Sequence, residues 1–146
     1  MIVLDTTVLV YASGGEHPLR EPCGRILEAA SDGVIEATTT VEVIQEFVHV
    51  RARRRDRADA VARGLELARM LRPLLPSRDA DLLVGLRLYE EHPRLDAFDA
   101  VLAATAISAG AEALISADRA YASIRGLRHV DPATPALEEL LSELRD

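Results

Sequence analysis

The chain has 146 residues, a formal net charge of −7 and one cysteine, Cys23. This length predicts a single domain over residues 1–146, and the single cysteine excludes an internal disulfide framework. The net negative charge excludes nucleic-acid binding that is driven by the overall electrostatic field of the protein alone. The start lacks the basic region of a secretory signal, and the longest apolar stretch, residues 100–111, is shorter than the ~20 residues of a membrane span. We therefore expect a cytoplasmic protein with no membrane association.

The first half of the chain predicts two short strands and three helices. Residues 1–4 form an apolar run typical of a buried strand, and residues 34–38 are also strand-like. Helices are expected over residues 20–31, from a threonine cap at position 39 or 40 to about Arg55, and over residues 57–71. The apolar stripe of the last helix is expected to face the core, and it consists of Ala58, Val61, Ala62, Leu65 and Ala68.

The second half predicts further strands and helices in alternation. A short leucine strand is expected between Pro73 and Pro76, followed by a helix from Asp79 or Asp81 to about Glu91. The remaining elements are a helix capped by Asp96 and ended by Gly110, strands at 113–116 and 127–130, and a helix opened by Pro135. This alternation predicts an α/β fold with a parallel sheet covered on both faces, in which ligands bind beyond the carboxyl ends of the strands.

Carboxylates interrupt several segments that should be buried. Asp5 follows the first strand, Asp99 lies in a helix that is apolar nearly all round, and Asp118 follows a later strand. Glu42 and Glu46 lie one turn apart on one helix face. An unpaired buried carboxylate is costly, and the chain contains no lysine. A shared Mg²⁺ or Mn²⁺ would account for all of these acids and would support phosphodiester hydrolysis.

Each acid also has a structural interpretation. Asp5 and Asp118 could cap the turns that follow them, and Asp96 is expected to cap its helix, with Asp99 in the first turn. Glu42 is expected to be solvated or capping, which makes Glu46 the preferred ligand and leaves the choice between the two glutamates open.

In this order and spacing, the segments resemble the PIN-domain ribonucleases, particularly the VapC-type toxins of bacterial toxin–antitoxin pairs. The resemblance rests on residues 2–9, 43–47, 98–106 and 114–119. It implies a three-layer α/β/α fold with a short parallel central sheet. It also implies an acidic site with two supporting hydroxyls, and the residues concerned are Asp5, Glu46, Asp99 and Asp118 with Thr7 and Ser116, where the family usually has threonine at position 116.

The same resemblance implies a function: a Mg²⁺- or Mn²⁺-dependent endoribonuclease that cleaves tRNA or rRNA and arrests growth. It further implies homodimers and a small antitoxin that occupies the active-site groove. Two alternatives stay open. One is a non-catalytic PIN-like binding module. The other is a Mg²⁺-dependent aspartyl phosphotransferase with Asp5 as nucleophile, although Thr7 stands where phosphatases of that kind carry a second aspartate.

Residues 51–57 hold five arginines and form the only dense positive segment of the sequence. Guanidinium groups bind phosphate in a bidentate manner, so these side chains are candidates for RNA contact. The alternative is a solvated turn or a surface that pairs with acids of a partner. The candidates are Arg51, Arg53, Arg54 and Arg55.

Overall fold

The computed structural model describes residues 1–144, and its centre is a parallel sheet of four short strands. These are β1 (Ile2–Leu4), β2 (Ala37–Thr38), β3 (Ala113–Ile115) and β4 (His129–Val130), in the spatial order β2-β1-β3-β4. Leu4 lies opposite Ile115, which in turn lies opposite Val130. Because the strands are parallel and end level with one another, the residues after β1 and β3 meet at one edge.

Seven α-helices and one 3₁₀ helix surround the sheet within residues 1–144. They are α1 (Thr6–Ser13), α2 (Arg20–Ser31), α3 (Val41–Arg54), α4 (Arg57–Met70), α5 (Asp79–Glu91), α6 (Ala97–Ser108), the 3₁₀ helix (Arg119–Ser123) and α7 (Ala136–Glu143). The predicted helices are confirmed within a residue or two at their ends. Helix α1 is not among the predicted elements, and only the possibility that Asp5 caps a following turn points to it.

The starts of three helices are fixed by side-chain caps. The Thr40 hydroxyl accepts the amide of Val43, and the carboxylates of Asp56 and Asp96 accept the amides three residues on. Such caps satisfy amides that have no partner inside the helix. At the other end of α6, Gly110 adopts a positive φ of 67°, which favours glycine, and this confirms the predicted helix end.

The sheet is covered on both faces. All three residues of β1, and Leu114 and Ile115 of β3, have no exposed surface. Successive side chains of a strand point to opposite faces, so complete burial requires helices on each side. The three-layer α/β/α expectation is confirmed. None of the helices in the described chain is long and apolar enough to cross a bilayer.

Two predicted strands, over residues 34–38 and 127–130, are shorter than expected by two or more residues, and the leucine strand expected between Pro73 and Pro76 is absent. The amides of Val34 and Ile35 donate to the carbonyl of Ala29 and so close the end of α2 instead of joining the sheet. Between the two prolines, only Leu75 makes a bridge, to Thr40. Proline has no amide hydrogen for a ladder, so the leucine segment cannot extend this pairing.

The predicted apolar stripe of α4 is wrong. The buried face of this helix consists of Ala60, Gly64 and Leu67, whereas Val61 and Leu65 are each 50% exposed. A Cβ at Gly64 would meet the side chain of Val48 on α3. The two helices pack closely, and this contact selects small residues that a hydropathy stripe does not reveal.

Helices α5 and α6 pack even more closely. A Cβ at Gly85 would lie 2.7 Å from the Cα of Val101, so only glycine fits there. The buried residues of α5 are Asp81 and Gly85, and its remaining apolar side chains are largely outside the core. The exposed members are Leu82, Leu83, Val84, Leu86 and Tyr89.

Candidate active site

Asp5 lies at the carboxyl end of β1 and is 3% exposed. Its Oδ2 accepts the amide of Thr7 at 3.3 Å, the hydroxyl of Thr7 at 2.9 Å and the hydroxyl of Ser116 at 2.7 Å. Asp5 is also the N-cap of α1. Asp5 therefore caps a helix, as one interpretation predicts, and is also a buried carboxylate whose orientation is set by hydrogen-bond donors, as the acidic-site interpretation requires.

Backbone amides donate to the hydroxyl oxygens of Thr7 and Ser116. The amide of Ala117 donates to Thr7 Oγ1 at 3.0 Å, and the amide of Asp118 donates to Ser116 Oγ at 2.9 Å. Because each hydroxyl oxygen already accepts a hydrogen bond, its own proton is available for Asp5. The structure thus brings both predicted supporting hydroxyls onto the Asp5 carboxylate.

Asp99, in the first turn of α6, lies close enough to other acids for their charges to shift its pKa. Burial, together with the negative charges of Asp5, Asp96 and Asp118, raises the pKa of Asp99 to about 7, while Tyr121 acts in the opposite direction. Asp96 caps α6 as predicted, and the structure brings Asp99 within electrostatic reach of both Asp5 and Asp118.

Asp118 caps the 3₁₀ helix through Ala120, whose amide lies 2.9 Å from its Oδ1. Its own amide bonds the Ser116 hydroxyl that supports Asp5. The capping interpretation is confirmed, and Asp118 is tied to the same hydrogen-bond network.

The two glutamates of α3 have different partners. Glu46 Oε2 accepts the hydroxyl of Thr6 at 2.5 Å, and Thr6 is the residue after Asp5. Glu42 Oε2 accepts the hydroxyl of Ser77 at 3.2 Å. Both side chains are exposed. The direct link to the start of α1 favours Glu46 as the member of the acidic site.

A cleft of about 830 Å³ opens over Asp5, Glu46 and Asp99, and Asp118 is not part of its lining. Glu42 and His49 line it as well. The lining also includes apolar side chains, which are Val43, Leu82, Leu86, Phe98, Val101 and Leu102, and further polar ones, which are Thr40, Gln45, Ser77, Arg78 and Asp79. Three of the candidate acids therefore lie in one cleft with a mixed polar and apolar lining.

The arginine segment divides into one structural residue and three exposed ones. Arg51 holds Asp59 through Nε at 2.5 Å and donates to the carbonyl of Ser13 at 2.8 Å, so its guanidinium joins α3, α4 and the end of α1. Arg53, Arg54 and Arg55 are exposed. Arg53 follows Glu46 by seven residues, which places it on the cleft-facing side of α3.

The candidate acids provide the kind of donor that a divalent cation requires. The acids offer only carboxylate oxygens, the ligands of hard cations, and no ion pair within residues 1–144 involves Asp5, Glu46, Asp99 or Asp118. In the same residues, no three His, Cys, Asp or Glu side chains are grouped closely enough to hold a metal as they stand. The donor chemistry fits a hard divalent cation.

Tyr121 belongs to the network and is not singled out by the sequence. It is fully buried, and its hydroxyl donates to Asp5 Oδ1 at 3.3 Å. Its partner is 116 residues away, and a lone tyrosine in a short turn is typical of a core residue. The only signal is its position three residues after Asp118.

A parallel α/β/α domain whose acids collect at the carboxyl edge of β1 and β3 has the architecture of a PIN domain. The family model described as PIN domain matches residues 2–127, and the chain therefore belongs to the PIN-domain family.

Within this family the chain is similar to proteins of the VapC type. It is 56% identical over 144 residues to Ribonuclease VapC7 of Mycobacterium tuberculosis (strain H37Rv), which covers 98% of this chain and 99% of that protein. It is 35% identical over 101 residues to Ribonuclease VapC23 of M. tuberculosis (strain CDC 1551), covering 68% and 78%. Ribonuclease VapC13 of strain H37Rv is 27% identical over 133 residues, covering 89% and 99%. The chain is a VapC-type PIN protein, as the resemblance predicted.

Proposed function

We propose that this protein is a metal-dependent endoribonuclease and the toxin of a toxin–antitoxin pair. One observation carries the proposal: Asp5, Glu46 and Asp99 line one cleft, and the ion pairs of residues 1–144 leave them without a cation. The relatives that match nearly the whole chain are named ribonucleases, which supports the same activity here.

Asp5, Asp99 and Asp118 would hold Mg²⁺ or Mn²⁺, with Glu46 completing the donor set. When bound, such an ion supplies Lewis-acid activation of water and neutralises charge that develops on the phosphate. The mutual repulsion that raises the pKa of Asp99 supports this assignment, because a cation would remove it.

The protein's own groups then have distinct tasks. Thr7 and Ser116 hold the Asp5 carboxylate in one orientation through their hydroxyls. Glu46 is fixed to Thr6 on the cleft wall, where its carboxylate can orient the attacking water and accept its proton. Arg53, Arg54 and Arg55 would neutralise RNA phosphates in a protein whose overall charge is negative.

The substrate we propose is tRNA or rRNA, cleaved in the cytoplasm to leave 5′-phosphate and 3′-hydroxyl ends, with growth arrest as the consequence. The partner we propose is a cognate antitoxin that occupies the cleft, and the protein itself would form a homodimer. The apolar wall formed by Leu82, Leu86 and Phe98 supports a protein partner, because exposed apolar surface of this kind marks interaction sites.

One observation favours a second candidate, the non-catalytic PIN-like binding module. No three acidic or histidine side chains in residues 1–144 are grouped for a metal as they stand, as a degenerate site would show. The aspartyl phosphotransferase alternative gains no support, since Asp5 Oδ2 is occupied by three donors and the family match is to PIN domains.

The deciding experiment is induced expression in a bacterial host with RNA 5′ ends mapped across the transcriptome. Wild type, D5N, E46Q and E42Q would be compared, and Mn²⁺ binding of each purified protein would be measured. We expect discrete new 5′-phosphate ends with wild type, background levels with D5N, and a loss of about 10²–10⁴-fold with E46Q if it acts as general base. E42Q should keep activity near wild type.

Each result separates the two candidates. Cleavage and Mn²⁺ binding that disappear together in D5N would establish the metal-dependent nuclease. A folded wild type that neither cleaves nor binds Mn²⁺ would favour the binding module. Loss of activity in E42Q instead of E46Q would exchange the roles of the two glutamates.

A further inference from the structure

Tyr121 is held rigidly beneath the acidic cleft. Its side chain has no exposed surface, and its ring lies 5.9 Å from the ring of His129, with 30° between their planes. His129 is fixed in turn, because its Nε2 lies 2.8 Å from the carbonyl oxygen of Ser116. The phenol ring therefore packs against His129 of β4, and this contact restricts the position of its hydroxyl.

That hydroxyl lies beside two carboxylates from different elements. It donates to Asp5 Oδ1 at 3.3 Å, and it lies close enough to Asp99 for each group to shift the pKa of the other. Asp5 follows β1, whereas Asp99 lies in the first turn of α6. The donor bonded to one acid is thus adjacent to the second, whose like charge repels the first.

The two carboxylate oxygens of Asp5 differ in the number of hydrogen bonds that they accept. Oδ2 takes three donors from Thr7 and Ser116. Oδ1 takes the longer bond from Tyr121. Since each carboxylate oxygen offers about two lone-pair directions, Oδ1 keeps acceptor capacity for a further ligand.

Packing alone does not require this hydroxyl. A phenylalanine would fill nearly the same volume without a buried polar atom, which is costly unless it is bonded. The Tyr121 hydroxyl carries a proton, and the Asp5 carboxylate offers only acceptors, so the hydroxyl donates in this bond.

We propose that Tyr121 is a positioning residue of the acidic site, whose hydroxyl bonds Asp5 beside Asp99 and orients the Asp5 carboxylate so that both acids bind one divalent cation. The inference rests on the metal-dependent function proposed above and adds a residue to it. Tyr121 acts through the two aspartates and contacts neither RNA nor the reacting phosphate.

The test compares wild type, Y121F and Y89F, where Tyr89 is a half-exposed tyrosine on α5 outside the acidic network and serves as the matched control. Mn²⁺ affinity would be measured by calorimetry and by the electron paramagnetic resonance signal of free Mn²⁺, and the fold by thermal melting. We expect Y121F to bind Mn²⁺ about tenfold more weakly, the range seen when groups that orient metal ligands are removed. Y89F should bind as wild type does.

Cleavage against Mn²⁺ concentration supplies the second measurement. In Y121F the half-saturating Mn²⁺ concentration should rise about tenfold, while the rate at saturating Mn²⁺ returns to within about twofold of wild type. A merely structural role would lower the melting temperature and the maximal rate without moving the Mn²⁺ affinity.

Equal or tighter Mn²⁺ binding by folded Y121F would overturn the inference and leave the proposed function intact. A wild type that binds no Mn²⁺ would overturn both. If Y121F does not fold, H129A carries the test, because it keeps the Tyr121 hydroxyl but removes the imidazole ring that packs against the phenol. It should weaken Mn²⁺ binding about threefold, and unchanged binding there would contradict the proposal.

Discussion

The acidic edge of the cleft (the polar wall) and the exposed leucines of α5 (the apolar wall) are built on opposite principles. At the carboxyl edge of β1 and β3, Asp5 is buried, and each of its oxygens accepts at least one hydrogen bond. In the same cleft, Leu82 and Leu86 on α5 are 47% and 46% exposed. The polar wall is held by hydrogen bonds, whereas the apolar wall lies outside the core. The difference teaches that the hydropathy of a residue alone does not give its burial: Asp5 is inside and these leucines are outside.

The largest expected effect tests whether the leucines of α5 lie outside the core, by comparison with a leucine inside it. Leu114 of β3 has no exposed surface, and Leu83 of α5 is 64% exposed. L114A should lower the free energy of unfolding by about 2–5 kcal/mol, because it removes core contacts and leaves a cavity. L83A should change it by less than about 0.5 kcal/mol. Urea denaturation of both variants checks this, and comparable losses would mean that α5 is part of the core.

A smaller effect concerns the polar wall and pH. The pKa of Asp99 is raised from 3.8 to about 7 in the folded protein, so between these values the folded state binds more protons than the unfolded state. Stability of the metal-free protein should therefore fall as pH rises from about 4 to about 7, and level off above. Since the carboxyl is partly exposed and screened, we expect about 1–2 kcal/mol.

D99N should remove this dependence, because its amide does not titrate. Urea denaturation of wild type and D99N at about pH 5 and about pH 7.5, without divalent metal, measures it. A wild type that becomes more stable with rising pH, or a D99N variant that keeps the same slope, would refute the assignment to Asp99.

The smallest effect separates the arginines of α3. R53E, placed in the inactive D5N background, should weaken RNA binding severalfold and reduce the slope of log K against log salt by about 0.7 for each lost contact to single-stranded RNA. R87E on α5 makes the same change of charge at another exposed position and should bind RNA as the parent does. Equal affinity and slope for the two variants would remove Arg53 from the RNA surface.

Arg51 should behave differently from Arg53. Its guanidinium joins Asp59 and the carbonyl of Ser13, so R51Q should lower the free energy of unfolding slightly, because solvent screens the exposed Asp59 carboxylate. An RNA-binding defect in folded R51Q, without loss of stability, would contradict this structural role.

The sequence predicted most of the fold, because short apolar strands and clear helix caps are local signals. It also predicted the candidate acids, since Asp5 and Asp99 stand alone in apolar segments. It could not predict the buried face of α4, where Ala60 and Gly64 are selected by the approach of α3 and carry little hydropathy. Tyr121 was missed for a related reason: its role depends on a contact with Asp5 across 116 positions.

The contact between Gly85 and Val101 bears on which residues of this protein can change during evolution. Glycine at position 85 lets α5 lie directly against the backbone and side chain of Val101 on α6, the helix that carries Asp99. Leu82 and Leu86 are exposed outside this contact, so we expect that they can be exchanged without moving the acid. Under the function proposed above, partner recognition and the chemistry of the site would be carried on adjacent helices and would be free to evolve separately.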